Sequence, residues 1–401
     1  MNIVILHAGT SGFFPRYYKA ISDAIKQDGG QSLLLVPHSG RNKRNALPQQ
    51  IMWGSRLNWF IHNAIYKFLG IQDIFSILGT IDLIRKLNRI NPDVIHFNII
   101  NDKIINLPIL IRYINKKNIP IVWTQHDCRS FTGQCTYFDK INCKQWVSGC
   151  GNCPICETFI DNTHLTWLIR KKYYTKIKKM IVVTPSQWLY NFVKESLFKE
   201  YPIRVIYNGV DTDNFSHKTY LDIRKLYNIP KTKKVILGCA IAWEPRKGLV
   251  YFENLSSMLP ENYQIVLVGN INAEYKLSLK NKGIICTGKT KSFSEMRALY
   301  QTASVFCNPT MADNFPTVNI EALAAGTPIV TFKTGGSPEA IDENTGIIVE
   351  QGNINALLDA IIAVVENRDK YNSKNCILRS KLFSNEQYKL YVKLFHEISE
   401  K

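Results

Sequence analysis

Short β-rich runs alternate with longer helical segments along both halves of this 401-residue chain. Such alternation is typical of parallel sheets whose strands are joined by crossover helices. The predicted strands of the first half are Ile3–Leu6, Leu33–Val36, Val94–Phe97, Ile119–Trp123 and Met180–Thr184, and those of the second half are Val235–Cys239, Gln264–Val268, Ile284–Cys286, Val305–Asn308 and Ile329–Phe332. The pattern predicts two facing Rossmann-like α/β domains. Ligands of such sheets bind at the carboxyl ends of the strands, here in the cleft between the domains.

The chain is too long for one compact core and suits two domains of about 150–200 residues each. Pro202 and the Asn208-Gly209 turn interrupt the periodicity near 201–214, so we predict a first domain over 1–205 and a second over 206–380. The final segment, 381–401, is amphipathic, with Tyr388, Tyr391, Val392 and Phe395 on one helical face.

The positive charge is concentrated in the first half. Residues 1–200 hold 26 Lys and Arg against 12 Asp and Glu, a net of +14, whereas residues 201–401 hold 24 against 20, a net of +4. A field of this size favours an anionic partner, and an anionic membrane surface suits it better than nucleic acid because no nucleic-acid motif accompanies the charge. The alternative is a general abundance of Lys in the source proteome.

The hydropathy of the sequence predicts no membrane-spanning helix. No apolar run approaches the roughly 18–20 residues that cross a bilayer, and the first residues, MNIVILHAGTSG, lack a basic region followed by a signal-type apolar stretch. We therefore expect a cytoplasmic protein, located at the inner face of the membrane if the charge acts as proposed.

The string 305–339, VFCNPTMADNFPTVNIEALAAGTPIVTFKTGGSPE, bears most directly on function. Asp313 and Glu321 lie eight positions apart, and the second acid stands in an apolar helical stretch. A helix N-terminus offers free backbone N–H groups to a phosphate, and a carboxylate beside it can bind two vicinal sugar hydroxyls. We expect Glu321 at the start of this helix, accessible to ligand. The alternative, an ordinary strand–helix edge with two surface acids, leaves the whole string unexplained.

This string resembles the donor site of retaining glycosyltransferase family 4, whose members have the GT-B fold and carry two acids separated by seven residues. The resemblance implies that Asp313 and His126 contact the donor sugar, that Glu321 holds the nucleotide ribose, and that these three form the catalytic set. It also implies that the backbone of Thr317 and Val318 binds the phosphate, within a donor-binding stretch completed by Asn314, Phe315 and Pro316. The family usually has Glu where this chain has Asp313.

Three further segments follow predicted strands and match the family in part. Gly12 ends a small-residue turn, Gly9-Thr10-Ser11-Gly12, that faces the donor diphosphate in family members. Arg246 and Lys247 are adjacent cations suited to clamp a diphosphate. Lys247 matches the family, and Arg246 is an inferred substitute for an arginine whose position is Ala242 here. His126 ends another strand, where a half-buried structural histidine is the alternative.

Six of the ten cysteines fall within the insert 128–156. A subgroup of bacterial family 4 enzymes has a similar FTGxC…CxxW…GCxxCP insert. Thiolates gathered in a cytosolic protein favour structural zinc over disulfides, and we predict one zinc ion held by Cys135, Cys143, Cys150 and Cys153. Reduced thiols that pack the loop are the alternative.

Catalysis itself needs no cofactor in this scheme. We interpret Asp211-Thr212-Asp213 as a structural turn, although its sequence matches the metal-binding D-x-D motif.

The resemblance implies a retaining hexosyltransferase that uses a nucleoside-diphosphate sugar and a glycan or lipid-linked glycan acceptor. We expect it to act in bacterial capsule, O-antigen or exopolysaccharide biosynthesis, with a C-terminal helix that returns to the acceptor-binding first domain. Two alternatives remain at this point: a GT-B nucleotide-sugar epimerase, and a non-enzymatic, basic, zinc-containing module that binds nucleic acid.

Overall fold

The computed structural model describes residues 1–100 and 104–400, apart from the side chain of Lys140. The chain divides into two compact units. Unit 1 comprises Met1–Tyr207 together with Gln387–Lys401, and unit 2 comprises Asn208–Glu386. Within the described residues no helix is both long enough and apolar enough to cross a membrane.

Unit 1 is built on a seven-stranded sheet in the order β3-β2-β1-β4-β5-β6-β7, in which all neighbouring strands are parallel. The central strands are almost wholly apolar and buried because helices cover both faces. Its elements in chain order are β1 (Asn2–Leu6), α1 (Phe14–Gln27), β2 (Gln31–Pro37), α2 (Gly40–Arg44), β3 (Gln50–Trp53), α3 (Arg56–Leu69), α4 (Ile77–Ile90), β4 (Val94–Phe97), α5 (Leu107–Lys117), β5 (Ile121–Thr124), α6 (Gln145–Ser148), α7 (Thr163–Tyr174), β6 (Met180–Thr184), α8 (Gln187–Val193) and β7 (Ile203–Val205).

Unit 2 has a six-stranded parallel sheet in the order β10-β9-β8-β11-β12-β13. Its elements are α9 (Thr212–Ser216), α10 (Ile223–Leu226), β8 (Lys234–Ala242), α11 (Leu249–Leu255), β9 (Tyr263–Asn270), α12 (Ala273–Asn281), β10 (Ile285–Gly288), α13 (Phe293–Thr302), β11 (Val305–Asn308), α14 (Thr317–Ala324), β12 (Ile329–Phe332), β13 (Gly346–Val349), α15 (Ile354–Glu366) and α16 (Ser373–Ser380). Short 3-10 turns lie at Asp139–Ile141 in unit 1 and at Pro245–Lys247, Ser337–Ala340 and Lys381–Phe383 in unit 2.

The last helix, α17 (Gln387–Glu400), packs against α1 and the strands of unit 1. Tyr388, Tyr391 and Phe395 are almost fully buried and belong to the core of that unit. The Tyr391 hydroxyl also accepts a hydrogen bond of 3.0 Å from Thr124 Oγ1, at the end of β5. The predicted apolar face of the helix thus completes the core of the first α/β unit.

The ten predicted strands all occur, with small shifts at their ends, and the prediction of two Rossmann-like sheets is confirmed. Three strands were not predicted: β3, β7 and β13. Each lies at an edge of its sheet, where several residues are only partly buried. The boundary between the two units, at Tyr207 and Asn208, falls within the range 201–214 where the joint was predicted, and β7 occupies the start of that range. Asp211 caps α9 by accepting a hydrogen bond from the Asn214 N–H, at 3.1 Å.

Candidate functional site

The string 305–339 folds in unit 2 as strand β11, a loop, helix α14, strand β12 and a second loop. The two loops touch closely at one glycine. Gly335 has φ +55°, and a Cβ atom there would lie 1.7 Å from the Asp313 carbonyl oxygen. The Gly336 N–H also donates to the Asn314 carbonyl at 2.7 Å. Only glycine permits this approach, so the Gly-Gly pair fixes the backbone that carries Asp313.

Lys247 and Asp313, predicted from separate motifs, meet in an ion pair. Lys247 Nζ lies 2.5 Å from Asp313 Oδ2, and both side chains are mostly buried. The approach depends on Gly248, which has φ +74° and whose Cβ would lie 2.0 Å from the Pro309 carbonyl oxygen. The segment after β8 therefore lies directly against the segment after β11, at the carboxyl edge of the sheet.

Arg246, the second predicted cation, is held differently. Its Nε donates to Glu244 at 3.0 Å and its guanidinium donates to the Ala312 carbonyl at 3.2 Å. The side chain is about one-third exposed and contacts the loop that carries Asp313. Arg246 thus stabilises the loop in this structure, whereas Lys247 pairs with the Asp313 carboxylate.

Glu321 does not lie where the sequence led us to expect it. It stands in the second turn of α14, not at its start, and only 5% of the residue is exposed. The Tyr300 hydroxyl, from α13, donates to Glu321 Oε2 at 3.0 Å. Burial, and then the neighbouring carboxylate, raise the pKa of Tyr300 well above its usual value, so the phenol stays a donor. The expectation that burial of this acid is implausible was wrong, because a buried hydroxyl satisfies it.

The predicted phosphate site is the N-terminus of α14. Pro316 stands at the N-cap and supplies no side-chain hydrogen bond to the first turn. Thr317 and Val318, in that first turn, are half-buried. Asn314 and Phe315 are buried instead, and Phe315 contacts the Phe383 ring. Thr317 and Val318, at the start of the helix, are therefore less buried than Asn314 and Phe315.

A buried polar network that the sequence analysis missed supports this helix. Asn319, in the first turn of α14, donates to Ser337 Oγ at 2.9 Å and accepts from Asn308 Nδ2 at 2.8 Å. Ser337 also shares a hydrogen bond of 2.7 Å with Thr331. These contacts join β11, α14, β12 and the Gly-Gly loop. The sequence contained one indication of this network, the polar residue Asn319 within the mostly apolar helix α14.

In unit 1, His126 follows β5 and pairs with a residue that follows β4. Its Nε2 lies 2.8 Å from Asn98 Oδ1, and its ring lies edge-on to Tyr17. Burial lowers the pKa of His126 to about 4, so the imidazole is neutral near pH 7. His7, after β1, lies with its ring 6.4 Å from that of His126, and burial lowers the pKa of His7 well below its usual value. His7 and Asn98 are polar side chains at strand ends that the sequence analysis did not single out.

Gly12 lies in the exposed turn between β1 and α1 and has φ +72°. The preceding Thr10 is buried, and its N–H donates to Asn42 Oδ1 at 3.2 Å. The turn is therefore anchored at Thr10 and open at Gly12, on the same sheet edge as His7 and His126.

The four cysteines predicted to hold zinc line one small apolar cavity in the insert, together with Phe138 and Trp146. Gly133 N–H donates to Cys150 Sγ at 3.1 Å. All ten cysteines are free, so none forms a disulfide. Within the described residues, however, no three His, Cys, Asp or Glu side chains are close enough together to hold a metal ion. The thiols share a cavity without forming a coordination sphere, and zinc stays a prediction.

Two family models match the chain. The model described as Glycosyltransferase Family 4 matches residues 15–214, and the model described as Glycosyl transferases group 1 matches residues 233–367. The first match lies in unit 1 apart from its last residues, and the second lies in unit 2 and includes the Lys247–Asp313 pair and α14.

Two curated relatives align with this chain over most of their length. The chain is 24% identical to the putative colanic acid biosynthesis glycosyl transferase WcaC of Escherichia coli K12, over 76% of this chain and 75% of that protein. It is 22% identical to the O-antigen chain mannosyltransferase RfbU of Salmonella typhimurium LT2, over 67% of this chain and 70% of that protein. Among solved structures, HepE of Anabaena in complex with UDP-glucose superposes with a TM-score of 0.69 at 15% identity, over 99% of each chain.

Proposed function

Since the chain belongs to glycosyltransferase family 4 and has the GT-B fold of two Rossmann-like domains, we propose that it is a retaining hexosyltransferase. It moves a hexose-type unit from a nucleoside-diphosphate sugar to a glycan or lipid-linked glycan acceptor. The family matches are to glycosyltransferase models in both units. They support neither the epimerase nor the nucleic-acid-binding module.

The observation that carries this proposal is the Lys247–Asp313 ion pair beside a helix N-terminus without a side-chain cap. In the proposed site the N–H groups of Thr317 and Val318 bind the donor phosphate, and Lys247 adds a point charge. Asp313 accepts hydrogen bonds from the sugar hydroxyls. The structure of HepE that superposes on this chain holds UDP-glucose, a ligand of the proposed class.

The buried Glu321 carboxylate is the proposed acceptor for the two ribose hydroxyls. The Tyr300 hydroxyl donates to this carboxylate, and low dielectric strengthens hydrogen bonds to a carboxylate that is held in place. The two vicinal hydroxyls of a ribose can each donate a hydrogen bond to such a fixed carboxylate. Preference for a ribonucleotide over a 2′-deoxyribonucleotide would then depend on both α13 and α14.

The proposed reaction needs no carboxylate nucleophile. The acceptor hydroxyl attacks the anomeric carbon on the face from which the diphosphate leaves, the bond between that carbon and the phosphate oxygen breaks, and the leaving phosphate takes the hydroxyl proton. Negative charge develops on the diphosphate, where Lys247 and the start of α14 stabilise it. This differs from a retaining glycosidase, in which a second carboxylate forms a covalent intermediate. The proposal includes no catalytic metal.

The acceptor belongs, in this proposal, to bacterial surface polysaccharide assembly. The printed names of WcaC and RfbU refer to colanic acid and to an O-antigen chain. Such glycans are built on lipid-linked carriers at the cytoplasmic leaflet, and the net charge of +14 on residues 1–200 suits an anionic surface. We therefore place the enzyme at the inner face of the membrane as a peripheral protein.

A thermal-shift screen against UDP-, GDP- and ADP-sugars tests the donor part of the proposal. One nucleotide class should raise the Tm of the wild type in a concentration-dependent way, because a ligand that binds only the folded state stabilises it. The Lys247→Ala variant should respond less at the same concentrations. Absence of a shift with every nucleotide-sugar, combined with retention of RNA or DNA at physiological salt, would contradict the proposal.

A further inference from the structure

Helix α3 presents its apolar side to solvent. Leu57, Phe60, Ile61, Ala64 and Phe68 follow the i, i+3, i+4, i+7, i+11 spacing of one helical face. All five are exposed, and Leu57, Phe60 and Phe68 have 68%, 66% and 59% of their surface accessible. A helix of a soluble domain normally turns this face toward the core.

The opposite side of α3 is less exposed, combines Asn58 and His62 with Ile65, Tyr66 and Leu69, and contacts the rest of unit 1. Asn58 Nδ2 donates to Ser76 Oγ at 3.0 Å, and the His62 ring bonds to Asn58 Oδ1 at 2.9 Å. Tyr66, the one buried residue of the helix, donates to Gln134 at 3.3 Å. Hydrogen bonds therefore hold the helix in its inverted orientation.

The exposed apolar surface continues beyond the helix. The Phe159 ring stacks on Phe68, with centroids 5.6 Å apart and planes 5° from parallel, and 83% of Phe159 is exposed. The Phe159 N–H donates to the Lys67 carbonyl at 3.0 Å, which ties this residue to the end of α3. We call the set Leu57, Phe60, Ile61, Phe68 and Phe159 the apolar face. A contiguous surface of this kind marks an interaction site.

Charge decides which occupant fits the apolar face. α3 carries Arg56 and Lys67 and no acidic residue, and residues 1–200 have a net charge of +14. A second copy of the chain docked on the same face would bring two strongly positive surfaces together. An anionic lipid leaflet supplies both the complementary charge and an apolar layer, and helices that lie in membrane interfaces combine aromatic residues with Lys and Arg in this way.

We propose that α3 and Phe159 dock the protein on an anionic membrane, with the apolar face inserted at the boundary between headgroups and acyl chains. This deepens the peripheral location proposed above and rests on it. It also adds a specific contribution: attraction between charges alone fails at high salt, whereas insertion of Phe60 and Phe68 persists.

Vesicle flotation tests the proposal with the full chain and vesicles of phosphatidylcholine with or without phosphatidylglycerol, at low and high salt. The wild type should float best with anionic vesicles and retain part of its binding at high salt. Phe60→Ser/Phe68→Ser should lower the partition coefficient by at least about tenfold, because each ring leaves the apolar layer. Leu277→Ser, at an equally exposed position on α12 of the other unit, is the matched control and should float as the wild type does.

Equal flotation of the double variant and the wild type would overturn the proposal. So would light scattering that shows a wild-type dimer dissociated by Phe60→Ser/Phe68→Ser, because a second copy would then cover the apolar face. The nucleotide-sugar thermal shift, measured on the same preparations, keeps this outcome separate from the donor proposal. A double variant that binds donor but does not float supports docking through α3, and a wild type that floats but binds no donor contradicts only the proposed function.

Discussion

Lys247 Nζ lies 2.5 Å from Asp313 Oδ2, although the two residues belong to segments that follow different strands, β8 and β11. The pair brings a cation and a carboxylate to one point at the carboxyl edge of the unit 2 sheet, next to the first turn of α14. In the proposed site a phosphate bound at this turn contacts Lys247, and the sugar attached to it contacts Asp313. The ion pair holds these two side chains in contact with each other.

Lys247→Ala should reduce kcat/KM more than Arg246→Ala. Lys247→Ala removes both the proposed phosphate contact and the pairing with Asp313, whereas Arg246 is occupied by Glu244 and the Ala312 carbonyl. A charge-assisted contact contributes about 1.5–3 kcal/mol, equivalent to roughly a 10- to 150-fold loss. Lys333→Ala, which removes an exposed ion pair with Glu350 in the same unit, is the control and should have little effect. The reverse order would make Arg246 the principal phosphate clamp.

Glu321→Gln should remove donor binding while the fold is retained. The amide can still accept a hydrogen bond from Tyr300, but it no longer offers a carboxylate to the ribose. Glu321→Ala is a poorer test than the sequence suggested, because it leaves the buried Tyr300 hydroxyl without its acceptor and costs about 1–3 kcal/mol of stability.

The matched control for Glu321 is Glu295→Gln. Glu295 is also buried in unit 2 and also accepts a hydrogen bond from a tyrosine, Tyr227. Both variants are compared by Tm and by the thermal shift with the nucleotide-sugar that the wild type binds. Donor protection should be lost only in Glu321→Gln. If Glu321→Gln keeps turnover within a few-fold of wild type, Glu321 is a structural residue and not part of the site.

The meeting of Lys247 and Asp313 could be foreseen from the sequence, since both follow predicted strands and parallel strands end at a common edge. The same rule, applied evenly, would also have found His7 after β1 and Asn98 after β4. The Tyr300–Glu321 bond could not be foreseen. Tyr300 stands in α13 at a position that reads as an ordinary core residue, and only tertiary packing brings its hydroxyl to a carboxylate 21 positions away.

The orientation of α3 was also hidden from the sequence. Its apolar residues recur at helical spacing, a pattern that normally predicts burial of that face. In the structure Asn58 and Tyr66 face inward and Phe60 faces outward. Asn58 donates to Ser76 and Tyr66 donates to Gln134, and these hydrogen bonds hold the inward side of the helix. The spacing of apolar residues identifies one face of the helix. Which face is buried depends on the residues elsewhere in the unit that the opposite face can contact.

The prediction of one zinc ion per chain is tested by metal analysis of protein purified without added zinc. Cys135, Cys143, Cys150 and Cys153 line one cavity, but they must move closer together to bind a metal. We expect a stoichiometry near one, lost in Cys150→Ser and kept in Cys286→Ser, whose cysteine lies outside the insert. A stoichiometry near zero, with all thiols titratable in the native protein, would leave these cysteines only a packing role.

The final prediction concerns the stability of unit 1 against pH. Burial lowers the pKa of His96 to about 3, and His96 is held neutral between Thr124 and Tyr17. In the unfolded chain its pKa is about 6.5. Below that pH the unfolded state binds the extra proton, so the stability that His96 contributes is full above pH 6.5 and is lost as pH falls toward 3.

Urea unfolding between pH 6 and pH 4.5, followed by tryptophan fluorescence, measures this effect. Six of the seven tryptophans lie in the first half of the chain, so the signal reports mainly on unit 1. His96→Asn should reduce the slope of the unfolding free energy against pH by up to about 1.4 kcal/mol per pH unit. His217→Asn, at an exposed position in unit 2, should leave the slope unchanged. An unaltered slope in His96→Asn would mean that His96 is protonated in the folded protein, which its apolar surroundings and its two hydroxyl partners do not permit without rearrangement of the β4–β5 core.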